Sequence, residues 1–119
     1  MTTPSSPQKN TLFLSPQDVA NIVSRTGLAT TLKGISAYIR QDFLRWQSFD
    51  KSARLAAHSQ DGVIELMPIA DADTYTFKYV NGHPKNPLQG LTTVMAFGLL
   101  ADVATGYPTL LSELTITTA

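Results

Sequence analysis

Two charged residues stand in segments of the sequence whose other side chains are largely apolar. Lys78 lies in TYTFKYV and Glu65 lies in GVIELMPI. A charged side chain is seldom buried without a partner, so a lysine inside a strand calls for an anion close to its ammonium group. Three arrangements are open: a cross-strand pair between Lys78 and Glu65, a bound carboxylate, or a lysine that extends to solvent.

Three further residues have side chains suited to binding an anion. Arg54 follows FDKSA, and its planar guanidinium can bind a carboxylate through two parallel hydrogen bonds, whether of a ligand or of a surface acid. Thr92 and Thr93 follow the turn-rich stretch NGHPKNPLQG. Their hydroxyls could donate to a phosphate, although threonine is also an ordinary strand residue.

Several other kinds of site are not indicated. His58 and His83 are far apart in sequence and lack the three- or four-residue spacing of metal ligands, so we expect no metal site. The chain has no cysteine, which excludes a thiolate nucleophile and a disulfide framework. It also has neither GxSxG nor GxGxxG, so it cannot by itself build a Rossmann dinucleotide pocket.

Composition limits the partners. The 119 residues correspond to about one domain, and nine basic residues balance nine acidic ones, so we expect no nucleic-acid binding. No apolar run is long enough to span a membrane, and the opening MTTPSSPQKN is no secretory signal, which makes the cytoplasm the default compartment. Only 15% of the residues are charged while 43% are hydrophobic, which indicates a surface covered by something outside the chain.

Two helices are predicted in the first half of the chain. Residues 1–12 are mostly Thr, Ser, Pro, Gln, Lys and Asn and predict a disordered tail. Ser15 can cap a helix that has Pro16 at its first position and Asp18 in its first turn, and Gly27 ends it. A second helix follows from the helical spacing of Leu32, Ile35, Ile39, Phe43 and Trp46.

The second half predicts a sheet. Segments 54–58, 63–69 and 75–80 are short and rich in β-forming residues, and the last alternates strictly, with Tyr75, Phe77 and Tyr79 on one face. Segments 91–103 and 107–114 predict a hairpin that turns at ATGYP. The expected fold class is therefore α+β, with two N-terminal helices followed by a largely antiparallel or mixed sheet.

The last eight residues, SELTITTA, suggest an incomplete fold. Thr117 and Thr118 are of the type that opens a helix, yet only Ala119 follows them. We therefore interpret 13–119 as one domain that stops before its next element.

The segments FKYVNGHPKN and GLTTVMAFGLLADVATGYPTLLSELTITTA closely resemble the ornithine cyclodeaminase/mu-crystallin family, as do DFLRWQSFDKSARLAAHS and GVIELMPIAD. The resemblance covers about residues 15–119, and KYVNGHPxN is typical of the ornithine cyclodeaminase branch. It implies that 13–119 is the N-terminal substrate-binding and dimerisation domain, a mixed sheet that pairs with its twin in a homodimer.

The resemblance also implies a reaction. In the family, NAD accepts a hydride from the α-carbon of L-ornithine, the side-chain amine attacks the resulting imine, ammonia leaves, and the returned hydride yields L-proline. Arg54 in KSAR and Lys78 in FKYVNG match residues that bind the substrate carboxylate. Glu65 in GVIEL matches a polar residue that assists in the site, and Thr93 in LTTVMAF matches a threonine that contacts the dinucleotide.

The family's Gly-rich NAD domain, with its catalytic aspartate, has no counterpart in these 119 residues. We therefore expect the isolated chain not to turn over ornithine. Two alternatives remain open. The chain could be a non-enzymatic oligomeric binding module, or its parent could be a ketimine reductase or an amino-acid dehydrogenase of the same superfamily.

Overall fold

The two predicted helices are present in the computed structural model, which describes residues 10–118. The first helix, α1, spans Pro16–Thr26 and the second, α2, spans Leu28–Leu44. Ser15 caps α1 as predicted: the Asp18 backbone N–H donates to the Ser15 hydroxyl, and the Ser15 N–H donates back to the Asp18 carboxylate. The second helix begins four residues before Leu32, the first residue of the predicted apolar stripe, because Gly27 turns the chain within one residue at φ +89°, and it ends at Leu44, before Trp46.

Seven strands form one mixed sheet, as the fold class predicts. They are β1 Leu12–Leu14, β2 Asp50–Lys51, β3 Leu55–Ser59, β4 Gly62–Ala70, β5 Thr74–Gly82, β6 Ala96–Asp102 and β7 Pro108–Glu113. The spatial order is β1-β7-β6-β5-β4, and β4 then pairs with both β2 and β3 along its outer side. Only the β1–β7 pair is parallel, and β6 and β7 form the predicted hairpin.

The two ends of the described segment differ from the predictions. Residues 1–9 of the predicted tail lie outside the described residues, but Leu12 already pairs with Leu110 in β1. At the other end, where Thr117 and Thr118 indicated the opening of a helix, a short helix, α3, spans Thr115–Thr118 and so begins two residues earlier. The Thr115 backbone N–H donates to the Glu113 carboxylate, which satisfies a donor of its first turn.

Strand alternation gives the sheet two unlike faces. The register places Tyr75, Phe77 and Tyr79 on one side of β5, and Phe97 of β6 joins them by stacking on Tyr79 with ring centroids 4.8 Å apart. We call this side the aromatic face. Lys78 lies on the opposite side, which we call the lysine face.

The hydrophobic core of the described residues is very small. Only Val19, Ala96 and Ala101 are buried apolar residues, whereas twenty large apolar side chains are exposed. The radius of gyration is 17.3 Å, against about 13.5 Å for a compact domain of this length. Much apolar surface of the sheet and helices therefore lacks a cover within the described part. None of the described helices combines the length and apolar character needed to cross a lipid bilayer.

Candidate functional site

Arg54 and Glu65 form an ion pair on the lysine face. Arg54 Nη1 lies 2.7 Å from Glu65 Oε2, and the glutamate side chain is 21% exposed while the arginine is 61% exposed. The pair follows from the register, because Ala56 of β3 lies opposite Glu65 of β4 and Arg54 precedes Ala56 by two residues. Between β2 and β3 the three residues 52–54 lie opposite only two residues of β4, 67–68, so the chain bulges where Arg54 stands.

Lys78 lies in the middle of the lysine face and is half-buried. Its strand neighbours are Met67 of β4 and Gly98 of β6, while Glu65 lies opposite Val80. Within residues 10–118 the Lys78 ammonium group makes no ion pair or hydrogen bond. The alternative of a Lys78–Glu65 pair is therefore wrong, since Glu65 faces Arg54 across β3 and β4.

Gly98, the β6 neighbour of Lys78, has no side chain, so its backbone is accessible to neighbouring groups on the lysine face. A Cβ atom at Gly98 would lie 2.5 Å from Leu114 Cδ1 and 2.8 Å from the Phe77 carbonyl oxygen. The Leu114 side chain therefore packs directly over Gly98, just before helix α3. Lys78 is flanked by a flexible methionine on one side and by this glycine–leucine contact on the other.

A cavity of about 450 Å³ lies farther along the same face of the sheet, and Lys78, Arg54 and Glu65 are not among its lining residues. Its apolar lining comes from Ile39, Phe43, Trp46, Phe49 and Ile69, together with Thr76 of β5. Thr76 and Ile69 face each other two residues along from Lys78 and Met67, so the cavity opens on the same face of the sheet. Apolar walls around a few polar groups are typical of a small-molecule site.

A charged cluster forms the rim of the cavity. Arg45 Nη1 lies 3.2 Å from the Asp71 carboxylate and Nη2 lies 3.3 Å from that of Asp42. The backbone N–H groups of Thr74 and Asp73 donate to Asp71, and with Arg45 they lower the pKa of Asp71. The hydrogen bond to Asp71 in turn raises the pKa of Arg45. These contacts join α2 to the turn between β4 and β5.

Thr93 is not brought beside Lys78. It lies in the loop between β5 and β6, where its carbonyl accepts the His83 backbone N–H at 2.9 Å. His83 is five residues beyond Lys78, which corresponds to about 16 Å along the strand direction. The half-buried Thr93 hydroxyl makes no hydrogen bond within the described part of the chain, so it is available to a ligand. Thr92, its neighbour, is exposed and offers its carbonyl to Asn86.

Asn81 organises this loop, and the sequence reasoning did not single it out. It is 6% exposed and lies at the end of β5. Its Oδ1 accepts the Met95 backbone N–H at 2.6 Å, and its Nδ2 lies 2.7 Å from His83 Nδ1 and 3.4 Å from the Thr93 carbonyl. The signal in the sequence was a polar residue at an aromatic-face position of an alternating strand.

The histidines do not form a metal site in the described residues, where no three His, Asp or Glu side chains converge. His83 is engaged by Asn81, and its ring lies where a side chain at Gly62 would have to stand. The tip of the β3–β4 hairpin therefore packs closely against His83, and an Asp61–Lys85 ion pair of 2.8 Å lies beside that contact.

The family profile and the similar proteins point to the same family. The profile of the ornithine cyclodeaminase/mu-crystallin family matches residues 17–119. The ornithine cyclodeaminase of Brucella abortus is 57% identical over 107 residues, which are 90% of this chain and 30% of that protein. The chain thus spans about a third of the length of this relative.

Two solved structures share the fold. A lysine cyclodeaminase, described as recognising L-lysine, L-ornithine and L-2,4-diaminobutyric acid, aligns with a TM-score of 0.83 at 26% identity, over 91% of this chain and 34% of that one. An archaeal alanine dehydrogenase, described as a dimer with bound NAD, aligns with a TM-score of 0.72 at 26% identity, over 91% of this chain and 32% of that one.

Proposed function

Because the chain belongs to the ornithine cyclodeaminase/mu-crystallin family, we propose that it supplies the amino-acid-binding part of an ornithine cyclodeaminase, which converts L-ornithine to L-proline and ammonia with NAD. The observation that carries the proposal is the lysine face. It presents the ammonium group of the half-buried residue Lys78, for which residues 10–118 provide no counter-ion. A substrate carboxylate would supply that counter-ion.

Arg54 is the second group that would bind this carboxylate. Its Nη1 is taken by Glu65, but the remaining guanidinium N–H groups are free to donate within the described structure. Glu65 would therefore assist by holding Arg54 in a fixed orientation. Two cations on one carboxylate would fix the α-carbon of the amino acid, and the apolar cavity that begins two residues along the strands, at Thr76 and Ile69, would take its side chain.

Thr93 is the residue that would contact the cofactor. Its unpartnered hydroxyl, held on a loop braced by Asn81, is suited to hydrogen bond an elongated dinucleotide whose reactive end approaches the amino acid. NAD, when bound, would take a hydride from the α-carbon and return it later in the cycle. The phosphate-binding elements would come from residues other than these 119, which contain no GxGxxG.

We also propose a homodimer through the sheet. The aromatic face exposes Phe97, Tyr75 and Ile64 by 37–40%, and an apolar surface of this kind is typical of an interface between subunits. The dimeric state of the archaeal alanine dehydrogenase, which shares the fold, supports it. We place this assembly in the cytoplasm, in keeping with a sequence that contains no cysteine.

An amino-acid dehydrogenase or ketimine reductase is the second candidate. The likeness to an alanine dehydrogenase favours it, because the same lysine face could bind the carboxylate of another amino or imino acid. A third candidate is a non-enzymatic oligomeric module, which the exposed apolar faces favour.

A chimera tests the proposal. The chain replaces the matching 107 residues of the Brucella abortus ornithine cyclodeaminase, and proline and ammonia are measured with ornithine and NAD. We expect proline from the chimera and none from the 119-residue chain alone. Activity with alanine or a cyclic ketimine but not ornithine would favour the second candidate. A folded chimera without either activity would contradict a role in catalysis.

A further inference from the structure

We infer that Asn81 is a positioning residue, which fixes the His83 ring in one tautomer and through the loop places the Thr93 hydroxyl for the dinucleotide. This inference rests on the proposed function for the role of Thr93. Its structural part rests on the side-chain contacts of Asn81 alone, which is why the two can be tested separately.

The orientation of the Asn81 amide is set by a group that can only donate. The Met95 backbone N–H points at one side of the amide from 2.6 Å, so that side must be the carbonyl oxygen, Oδ1. The amide nitrogen then necessarily faces His83 Nδ1 at 2.7 Å. Rotating the amide by half a turn would place two donors against each other at Met95.

The His83 tautomer follows from this orientation. The Asn81 Nδ2 group donates, so His83 Nδ1 must accept and carries no proton. A neutral ring then holds its proton on Nε2. The His83 ring therefore stays in this tautomer as long as the Met95 backbone N–H donates to Asn81 Oδ1.

The same amide braces the loop that carries Thr93. The Asn81 and His83 backbone N–H groups donate to the carbonyls of Met95 and Thr93, so the β5–β6 ladder continues into the loop that precedes β6. Asn81 Nδ2 also reaches the Thr93 carbonyl at 3.4 Å. Because Asn81 is buried, water does not readily replace these bonds. Losing them would leave the Thr93 hydroxyl without a fixed position.

Two substitutions separate the parts of the network. Asn81→Asp keeps an acceptor for the Met95 N–H but replaces the donor that faces His83, so the His83 proton should move to Nδ1. Asn81→Leu removes both contacts. Asn86→Ala is the matched control, because the Asn86 side chain donates to the Thr92 carbonyl in the same loop and no hydrogen bond joins it to the His83 ring.

The structural readout is nitrogen NMR of the histidine rings in the 119-residue chain and in the chimera. The chain contains two histidines, so a His58→Gln variant assigns the spectrum. We expect the Nε2–H tautomer for His83 in the unsubstituted protein and in Asn86→Ala, and the Nδ1–H form or the doubly protonated ring in Asn81→Asp. An Nδ1–H ring in the unsubstituted protein would overturn the inference.

The functional readout is the kinetics of the chimera. We expect Asn81→Asp and Asn81→Leu to raise the KM for NAD about tenfold, with a kcat for ornithine within about threefold, because Thr93 contacts the cofactor rather than the reacting bond. An unchanged KM for NAD in both variants would overturn the positioning role. If the unsubstituted chimera makes no proline, the proposed function fails instead, and the tautomer still decides the structural part.

Discussion

The carboxylate of Glu65 is held by Arg54 at 2.7 Å and not by Lys78, although both basic residues lie on the same face of the sheet. The strand register explains why Glu65 pairs with Arg54. Glu65 lies opposite Ala56, two residues after Arg54, whereas Lys78 lies opposite Met67. Arg54 is therefore paired with Glu65, while Lys78, on the same face and separated from Arg54 by β4, has a charge that no described residue neutralises. In the proposed function both basic groups would bind one carboxylate.

Lys78→Met in the chimera should lower kcat/KM for ornithine. Loss of a charged contact to a carboxylate in a closed site costs about 2–4 kcal/mol, or roughly 30- to 1,000-fold. Lys33→Met, on the exposed side of α2, is the control and should leave the activity unchanged. Full activity of Lys78→Met would return this lysine to a structural role.

The Arg54–Glu65 pair should contribute little to stability. One partner is 61% exposed, and pairs of this kind have coupling energies of about 0.2–1 kcal/mol. The coupling is measured by urea unfolding of the Arg54→Leu and Glu65→Gln variants and of the double variant. A coupling well above this range would mean that the pair is primarily structural.

Gly98→Ala should destabilise the sheet, because the added methyl group would overlap the Phe77 carbonyl, which is backbone and cannot move aside. Overpacking of this kind costs about 1–3 kcal/mol. Gly34→Ala is the matched control and should raise the stability, since no atom outside the local helix backbone lies within 4 Å of the new methyl and a helix favours alanine by about 1 kcal/mol. Thermal unfolding of both variants decides whether Leu114 and Phe77 crowd Gly98.

Stability should fall in acid partly through Asp71. Its folded-state pKa is lowered by the N–H groups of Thr74 and Asp73 and by Arg45, so its contribution is present above the unfolded pKa of about 3.9 and is lost as the pH falls through the folded value. Asp71→Asn should therefore flatten the stability profile below about pH 4. Asp73→Asn is the control, because its carboxylate makes no hydrogen bond in the described residues. If Asp71→Asn and Asp73→Asn flattened the stability profile equally, the hydrogen bonds and ion pair of Asp71 would not be the cause.

Phe97→Asp should weaken the proposed homodimer. A carboxylate in the centre of the aromatic face would be buried without a partner on association, which is unfavourable. Leu88→Asp, at an 87% exposed loop position off that face, should leave the dimer intact. Sedimentation equilibrium of the chimera measures the dimer dissociation constant for both variants. A dimer unaffected by Phe97→Asp would place the interface elsewhere.

Local sequence signals were sufficient for the individual elements. Ser15, Asp18 and Gly27 predicted the start and end of α1 because capping depends on groups within a few residues of one another. The alternation of Tyr75, Phe77 and Tyr79 predicted a strand with one aromatic face for the same reason. The motif around Lys78 also indicated the family, which the comparisons confirmed.

The tertiary structure decided which charges meet. Glu65 could pair with Lys78 or with Arg54, and only the register of β3 on β4, with its extra edge residue, selects Arg54. The role of Asn81 was equally hidden, because its partners Met95 and Thr93 stand more than ten residues away and are brought to it by the β5–β6 ladder. Backbone pairing between distant segments fixes these contacts, and no short-range pattern in the sequence encodes it.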